Sequence, residues 1–146
     1  MFAKQYDKDK KNNNGFIGKP IARLEHNGEE YKNYNAYRHD LFYLKLHEAN
    51  CYCIWDNDKY ARITKILEHS ITGYLYIEMR PFENIEEFYA NNIPFLSSDV
   101  KIVKVNRTNE LPPTIKKFDI QKFRKCFPML LGADEILLGG YLHDLL

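Results

Sequence analysis

The sequence YARITKILEHSITGYLYIEM, residues 60 to 79, decides the fold that we predict for this chain. Residues 60 to 68 have strand composition, and residues 74 to 79 return to it after a short connection that ends at Gly73. Two β-rich runs joined by a glycine-containing turn are typical of a hairpin. Strand alternation predicts two faces for the first run, with Ala61, Ile63, Lys65 and Leu67 on one and Arg62, Thr64, Ile66 and Glu68 on the other.

Further strands are predicted on both sides of this hairpin, at residues 40 to 46, 51 to 55 and 101 to 105. A short helix is expected over residues 84 to 91, with Asn84 as its N-cap and two glutamates in its first turn. Residues 118 to 127 fit either a last strand or a short helix. The sequence therefore predicts a mainly β protein.

The length and composition fit one domain of ordinary globular type. Residues 1 to 20 lack apolar periodicity and are expected to be a disordered lead-in, which leaves residues 21 to 146 as a single domain. An odd number of cysteines, three, does not suggest a disulfide framework. No apolar leader follows the N-terminal lysines, and no stretch is apolar enough for a membrane span. We therefore expect an intracellular protein.

No catalytic or metal-binding pattern stands out. Cys51 and Cys53 alternate on a predicted strand, so their thiols should point to opposite faces, and we expect no metal site and no cofactor. No nucleophile elbow and no glycine-rich phosphate loop occurs. The pair Asp99 and Lys101 is a weak match to a metal-dependent nuclease and remains the enzymatic alternative. We expect a protein that is not an enzyme.

The charge is unevenly distributed although the net charge is only +1. Residues 101 to 125 carry eight basic residues against two acids. A face of this kind can contact phosphates, and nucleic-acid binding is therefore the alternative function. Its candidate residues are Lys101, Lys104, Arg107, Lys116, Lys117, Lys122, Arg124 and Lys125.

The order of motifs from residue 41 to residue 126 resembles a bromo-adjacent homology (BAH) domain. The matching pieces are ARITKI at 61 to 66, GYLYI at 73 to 77, MRPF at 79 to 82, ENIEE at 83 to 87, FLSS at 95 to 98, VKIVKV at 100 to 105, and Ile120 with Lys125-Cys126. Met79 stands where the family usually has an aromatic residue before Arg-Pro. Similar divergent domains accompany proteins derived from transposable elements.

The resemblance implies a twisted small β-barrel with one or two short helices and with loops that meet protein partners. The partner would be a histone tail or a silencing protein in the nucleus, and aromatic loop residues would form a cage around a methylated lysine. The chain offers 11 Tyr, 9 Phe and one Trp for such a role. The candidate cage residues are Trp55, Tyr60 and Phe82, with Asp58 or Glu83 to complement the cation.

Overall fold

The structure is a computed structural model that describes residues 14–47, 51–87 and 100–141. The described residues form strands, turns and irregular segments, and no helix occurs in these three ranges. Accordingly, they contain no helix that could span a membrane. The strands are β1 (Gly15–Ile17), β2 (Ala22–His26), β3 (Glu29–Tyr34), β4 (Ala36–Arg38), β5 (Tyr43–Lys45), β6 (Tyr52–Trp55), β7 (Lys59–His69), β8 (Leu75–Pro81), β9 (Ile85–Glu87), β10 (Val100–Asn106), β11 (Thr114–Lys117), β12 (Phe123–Lys125), β13 (Phe127–Leu130) and β14 (Glu135–Tyr141).

The strands form three sheets. The largest has the order β11-β8-β7-β3-β2, and β6 joins it by pairing with both β7 and β12. A second sheet has the order β13-β14-β10-β9, and a third has the order β1-β4-β5. No sheet formed by the described strands closes into a barrel, so the barrel expected from the resemblance is wrong. Closure would require the two end strands of one sheet to pair, and the end strands of the largest sheet, β2 and β11, do not pair with each other.

The predicted hairpin is confirmed as β7 and β8. Their ladder runs from Ala61 opposite Pro81 to Glu68 opposite Leu75. The connecting turn closes where the Gly73 N–H donates to the His69 carbonyl, 2.8 Å away. Gly73 has φ 76°, a conformation that glycine adopts without steric cost, which explains the glycine at this position. The predicted strands at residues 51 to 55 and 101 to 105 correspond to β6 and β10.

An irregularity in β7 changes which residues share a face. The register of the β7–β8 ladder shifts between Ile63 and Lys65, so that β7 contains one extra residue there. Beyond the shift Ile66 joins Ala61 and Ile63 in the core, while Lys65 is only half-buried. The predicted face of Ala61, Ile63, Lys65 and Leu67 is therefore wrong. Glu78 compensates the irregularity by accepting hydrogen bonds from Thr64 Oγ1 at 2.6 Å and Lys65 Nζ at 3.2 Å.

The helix predicted at residues 84 to 91 is not formed in its described part. Residues 85 to 87 are β9, which pairs antiparallel with β10, as in Val105 opposite Ile85. An isolated short helix is marginal in water, and pairing with an existing strand satisfies the same backbone groups. Residues 88 to 91 lie outside the described residues, as do Ser97, Ser98, Asp99 and most of the predicted lead-in. The described end of this lead-in contains β1.

The main core lies where β6, β7 and β8 meet β10, β12 and β14. Its fully buried side chains include Leu44, Ile66, Ile77, Phe123 and Leu138. Burying a side chain of this size contributes about 1.5–3 kcal/mol. This core also contains all three aromatic residues that were predicted to form a binding site, Trp55, Tyr60 and Phe82.

Candidate functional site: a lysine-lined cleft

The three rings predicted to form a cage are core residues. Trp55, Tyr60 and Phe82 are only 5%, 5% and 4% exposed. The ring of Trp55 lies 6.4 Å from that of Phe118, and Phe82 stacks with Tyr52 at 6.3 Å. A methyl-lysine cage needs ring faces that are open to the ligand. The predicted cage is therefore not assembled, because residues distant in sequence cover these rings.

The two acids nominated to complement the cation are exposed and lie in different loops. Asp58 is in the turn after β6 and pairs with its neighbour Lys59 at 3.7 Å. Glu83 follows β8, and its N–H donates to the Asn109 carbonyl. Neither arrangement places a carboxylate over an open aromatic face.

The predicted basic face separates into residues with different surroundings. Lys104 Nζ lies 3.5 Å from Glu86 and 3.6 Å from Glu135. Lys125 donates to the Tyr43 carbonyl at 2.9 Å, and partial burial lowers its pKa. The other predicted basic residues also differ in their surroundings. Arg107 lines a different concavity, and Arg124 lies half-buried on β12. The side chain of Lys101 is outside the described part of the chain. Only Lys116, Lys117 and Lys122 come together.

These three lysines line a cleft of about 700 Å³ between two chain segments. One segment is the turn that joins β6 to β7, and the other is the connection from β11 to β12. The Asp56 N–H donates to the Lys122 carbonyl at 2.9 Å and holds the segments together. Lys59 completes the set from the β7 side, so four lysines line the cleft. Sequence analysis missed Lys59 because it lies outside the basic stretch.

Both segments are shaped by residues suited to tight turns. Asp56 and Asn57 have positive φ values, 54° and 72°, which Asp and Asn tolerate better than most residues. On the opposite side, the Asp119 carboxylate accepts the Gln121 N–H at 2.9 Å, and its carbonyl accepts the Lys122 N–H at 3.0 Å. The two turns thus have defined backbone conformations, and the lysines project from fixed positions.

The cleft has a positive rim and an apolar floor. Trp55, Phe118 and Ile120 line it together with Asp56 and Asp119, the only acids on its wall among the described residues. Four lysines against two aspartates leave an excess of positive charge. The floor is well packed, since Phe118 contacts Phe42 at 4.9 Å and Phe123 at 5.0 Å between ring centroids. An anionic ligand with flat apolar parts would suit this surface.

Residues 11–138 match the model of a protein family described as Domain of unknown function (DUF8592). The chain belongs to this family. The matched region includes both segments of the cleft. No curated protein and no solved structure matches the chain. Since the family description states no function, the resemblance to BAH domains stays a prediction.

An exposed tyrosine of this DUF8592 domain lies next to the cleft. Tyr74 is 53% exposed, and the Lys117 ammonium lies 4.2 Å from the centroid of its ring. Such a cation–π contact holds ring and charge together at the surface. Sequence analysis did not nominate Tyr74, because its neighbours on β8 alternate with the core. Tyr74 is recognised as a candidate only in the folded chain, where its exposed ring lies beside Lys117.

The described residues provide no evident metal centre. Within residues 14–47, 51–87 and 100–141, no group of three or more His, Cys, Asp or Glu side chains is placed to hold a metal ion. The three cysteines are buried. Burial raises the pKa of the Cys53 thiol to about 12. That thiol is therefore protonated at neutral pH.

Proposed function

We propose that this protein binds single-stranded nucleic acid in the lysine-lined cleft. The observation that carries the proposal is the convergence of Lys59, Lys116, Lys117 and Lys122 around an apolar floor, with Tyr74 beside it. Proteins that bind single strands without reading sequence combine a positive groove with aromatic rings on which bases stack. The four lysines line one concave surface, and the exposed ring of Tyr74 lies beside it.

The lysines supply the affinity in this proposal. Each lysine that contacts a phosphate releases counterions from the strand, and the gain in entropy makes binding sensitive to salt. The overall charge of the chain adds little attraction, because the net charge of all 146 residues is only +1. Binding therefore depends on the local arrangement of charges. A lysine elsewhere on the surface should matter much less.

Tyr74 supplies the stacking surface. Its ring already lies against the Lys117 ammonium, so a base that stacked on the open part of the ring would bring its phosphate close to the same lysine. Stacking on an aromatic side chain contributes about 1–3 kcal/mol per base. This contact does not depend on base identity, and we expect weak sequence preference.

A BAH-type module that reads a histone tail or docks a silencing partner stays a prediction. Histone tails are rich in lysine and arginine, and the cleft would repel them. An acidic peptide is attracted by the same lysines but cannot stack on Tyr74. Comparing these three kinds of ligand separates the alternatives.

The test is binding of fluorescent single-stranded DNA and RNA to the full chain by anisotropy, with Trp55 emission as a second signal. Trp55 is the chain's single tryptophan and lines the cleft. We expect the double variant Lys116→Ala/Lys122→Ala to weaken binding at least about tenfold, equivalent to about 1.4 kcal/mol. The matched control is Lys19→Ala/Lys45→Ala, which removes two exposed lysines outside the cleft.

The outcomes are clear in either direction. Equal weakening by the two double variants would show that charge alone drives binding and would overturn the assignment to the cleft. So would equal affinity for a poly-glutamate peptide and an oligonucleotide of the same charge. Binding of a methylated histone peptide in preference to nucleic acid would support the BAH prediction instead.

A further inference from the structure

A second concavity lies at the opposite end of the β6–β7 ladder from the lysine-lined cleft. It encloses about 430 Å³, a volume typical of small-molecule sites. Tyr52 pairs with Arg62 at this end of the ladder, whereas Trp55 pairs with Lys59 at the other. The two concavities share no lining residue.

Arg62 is held in a fixed orientation on the wall of this concavity. Its Nε and Nη2 donate to the two carboxylate oxygens of Glu110 at 2.6 Å and 2.9 Å. The hydrogen bond to Glu110 is also the main reason why the pKa of Arg62 is raised. The Glu110 side chain is only 10% exposed, while that of Arg62 is 37% exposed. The buried carboxylate thus positions a guanidinium that remains accessible.

The arginine keeps donors for a ligand. A guanidinium has five N–H groups, and Glu110 takes one from each of two nitrogens. Arg80 Nε lies 3.7 Å from Glu110 Oε1, the oxygen that also accepts from Arg62 Nη2, so two cations already neutralise this acid. Arg107 lines the same concavity and adds positive charge. Among the described residues that line the concavity, two arginines, Arg62 and Arg107, accompany one acid, Glu110.

The other lining residues are mixed: His47 and Thr64 are polar, Leu46 is apolar and half-buried, and the remaining rings and aliphatic side chains are buried. Tyr52 and Phe82 are stacked and both line the concavity, and Ile63 lies beside them. A bidentate contact from arginine suits the planar carboxylate or the phosphate group. A ligand that satisfies both kinds of wall has one anionic group and a compact apolar body.

We propose that the Arg62 concavity is a binding site for a small organic anion, in which a carboxylate or phosphate group contacts Arg62 and Arg107 and an apolar part lies against the half-buried Leu46. Glu110 is a positioning residue for Arg62 and does not contact the ligand. The site does not depend on the nucleic-acid proposal, because its residues are separate from the four cleft lysines.

The experiment titrates the full chain with phenyl phosphate, phenylacetate and inorganic phosphate. Binding is followed by amide chemical shifts near Tyr52 and Phe82 and by the melting temperature. We expect both aromatic anions to bind with at most millimolar Kd and inorganic phosphate to bind at least about tenfold more weakly, a difference of about 1.4 kcal/mol. If phenyl phosphate binds more tightly than phenylacetate, the natural ligand is a phosphate ester. If phenylacetate binds more tightly, the natural ligand is a carboxylate.

Two variants locate the site and guard against misfolding. Arg62→Gln/Glu110→Gln replaces the ion pair with two neutral amides and should abolish binding. Arg107→Ala leaves the Arg62–Glu110 pair intact and should weaken binding at least about tenfold. Arg80→Ala is the matched control, since Arg80 touches Glu110 but does not line the concavity.

Absence of binding for all three anions at millimolar concentration would overturn the proposal. So would unchanged affinity in a folded Arg107→Ala variant, or equal losses in Arg107→Ala and Arg80→Ala. Retained anion binding in Lys116→Ala/Lys122→Ala is expected. Loss there would place the anion in the lysine-lined cleft and overturn the second site.

Discussion

His69 Nε2 lies 2.5 Å from Glu29 Oε1, while its Nδ1 accepts the backbone N–H groups of Ile71 at 3.3 Å and Thr72 at 3.2 Å. Because Nδ1 accepts two hydrogen bonds, Nε2 must carry the hydrogen that Glu29 receives. One buried imidazole therefore ties the start of β3 to the turn that closes the β7–β8 hairpin. The ring also packs edge-on against Tyr31, with the centroids 5.3 Å apart.

The variant His69→Leu should lower the free energy of unfolding by about 1–3 kcal/mol, because it removes the three hydrogen bonds that the buried imidazole makes to Glu29, Ile71 and Thr72. Glu29→Gln is the matched control: its amide oxygen still accepts the Nε2 hydrogen, so its loss should be smaller. Urea unfolding followed by Trp55 fluorescence measures both. Equal losses in the two variants would contradict the assignment of Nδ1 as the acceptor for the turn.

Stability should fall at alkaline pH. Burial raises the pKa of Cys53 and of Tyr60 to about 12, above their ordinary values of 9.0 and 10.0, and it also raises the pKa of Cys126. The unfolded chain then loses protons at lower pH than the folded chain, so unfolding becomes easier as the pH rises. We expect constant stability below about pH 8.5 and a progressive loss towards pH 12.

Urea unfolding between neutral pH and the alkaline range tests this dependence. Cys53→Ala and Tyr60→Phe each remove one group that titrates, so each should flatten part of the decline even if it lowers stability at neutral pH. A decline that is identical in the parent chain and both variants would show that other groups cause it.

Gly140 packs closely against Ile54 of β6. A Cβ at this position would lie 2.7 Å from Ile54 Cδ1, closer than carbon atoms approach. Gly140→Ala should therefore destabilise the fold by about 1–3 kcal/mol, the usual cost of overpacking. Gly132→Ala is the control, because its Cβ would meet no atom within 4 Å.

A double-mutant cycle tests the cause of that loss. Ile54→Val removes the Cδ1 atom that the new Cβ would meet. If the contact is responsible, Gly140→Ala should cost less in the Ile54→Val background than in the parent chain. Additive losses, measured by urea unfolding, would point to a cause other than Ile54.

Tyr74 should distinguish stacking from simple charge attraction in nucleic-acid binding. Tyr74→Ala is expected to weaken binding by about 1–3 kcal/mol, and Tyr74→Phe should retain most of the affinity because the ring remains. In contrast, Lys116→Ala/Lys122→Ala should reduce the salt dependence of binding. The slope of log affinity against log salt concentration should become shallower by about 0.7 for each phosphate that the variant no longer neutralises. Anisotropy titrations at several salt concentrations measure both effects. A Tyr74→Ala variant that binds like the parent chain would contradict the stacking role.

The strands predicted most accurately are those whose signal is local. The β7–β8 hairpin follows from two strand-like runs and from Gly73, whose positive φ a glycine adopts freely. The irregularity near Thr64 was not predicted, because Ile66 and Leu67 are both apolar and either could continue the face of Ala61 and Ile63. β9 was mistaken for the start of a helix because its partner, β10, comes from a later part of the chain.

The candidate site was predictable only in part. The basic stretch is visible in the sequence, and it supplies three of the four cleft lysines, Lys116, Lys117 and Lys122. The fourth, Lys59, comes from outside that stretch. Trp55 is next to charged turn residues and was therefore expected at a surface. The pairing of Trp55 with Phe123 and the packing of Phe118 against it bury the ring.

The sequence by itself determined the strand-rich character of the chain, the central hairpin and the local excess of basic residues, since each depends on neighbours a few positions away. The tertiary structure decided which aromatic rings are buried, which lysines converge and where Arg62 meets Glu110. These outcomes depend on pairing between distant strands, as when β12 aligns with β6. Side-chain alternation reports that a strand has two faces, but only its partners decide which face is covered.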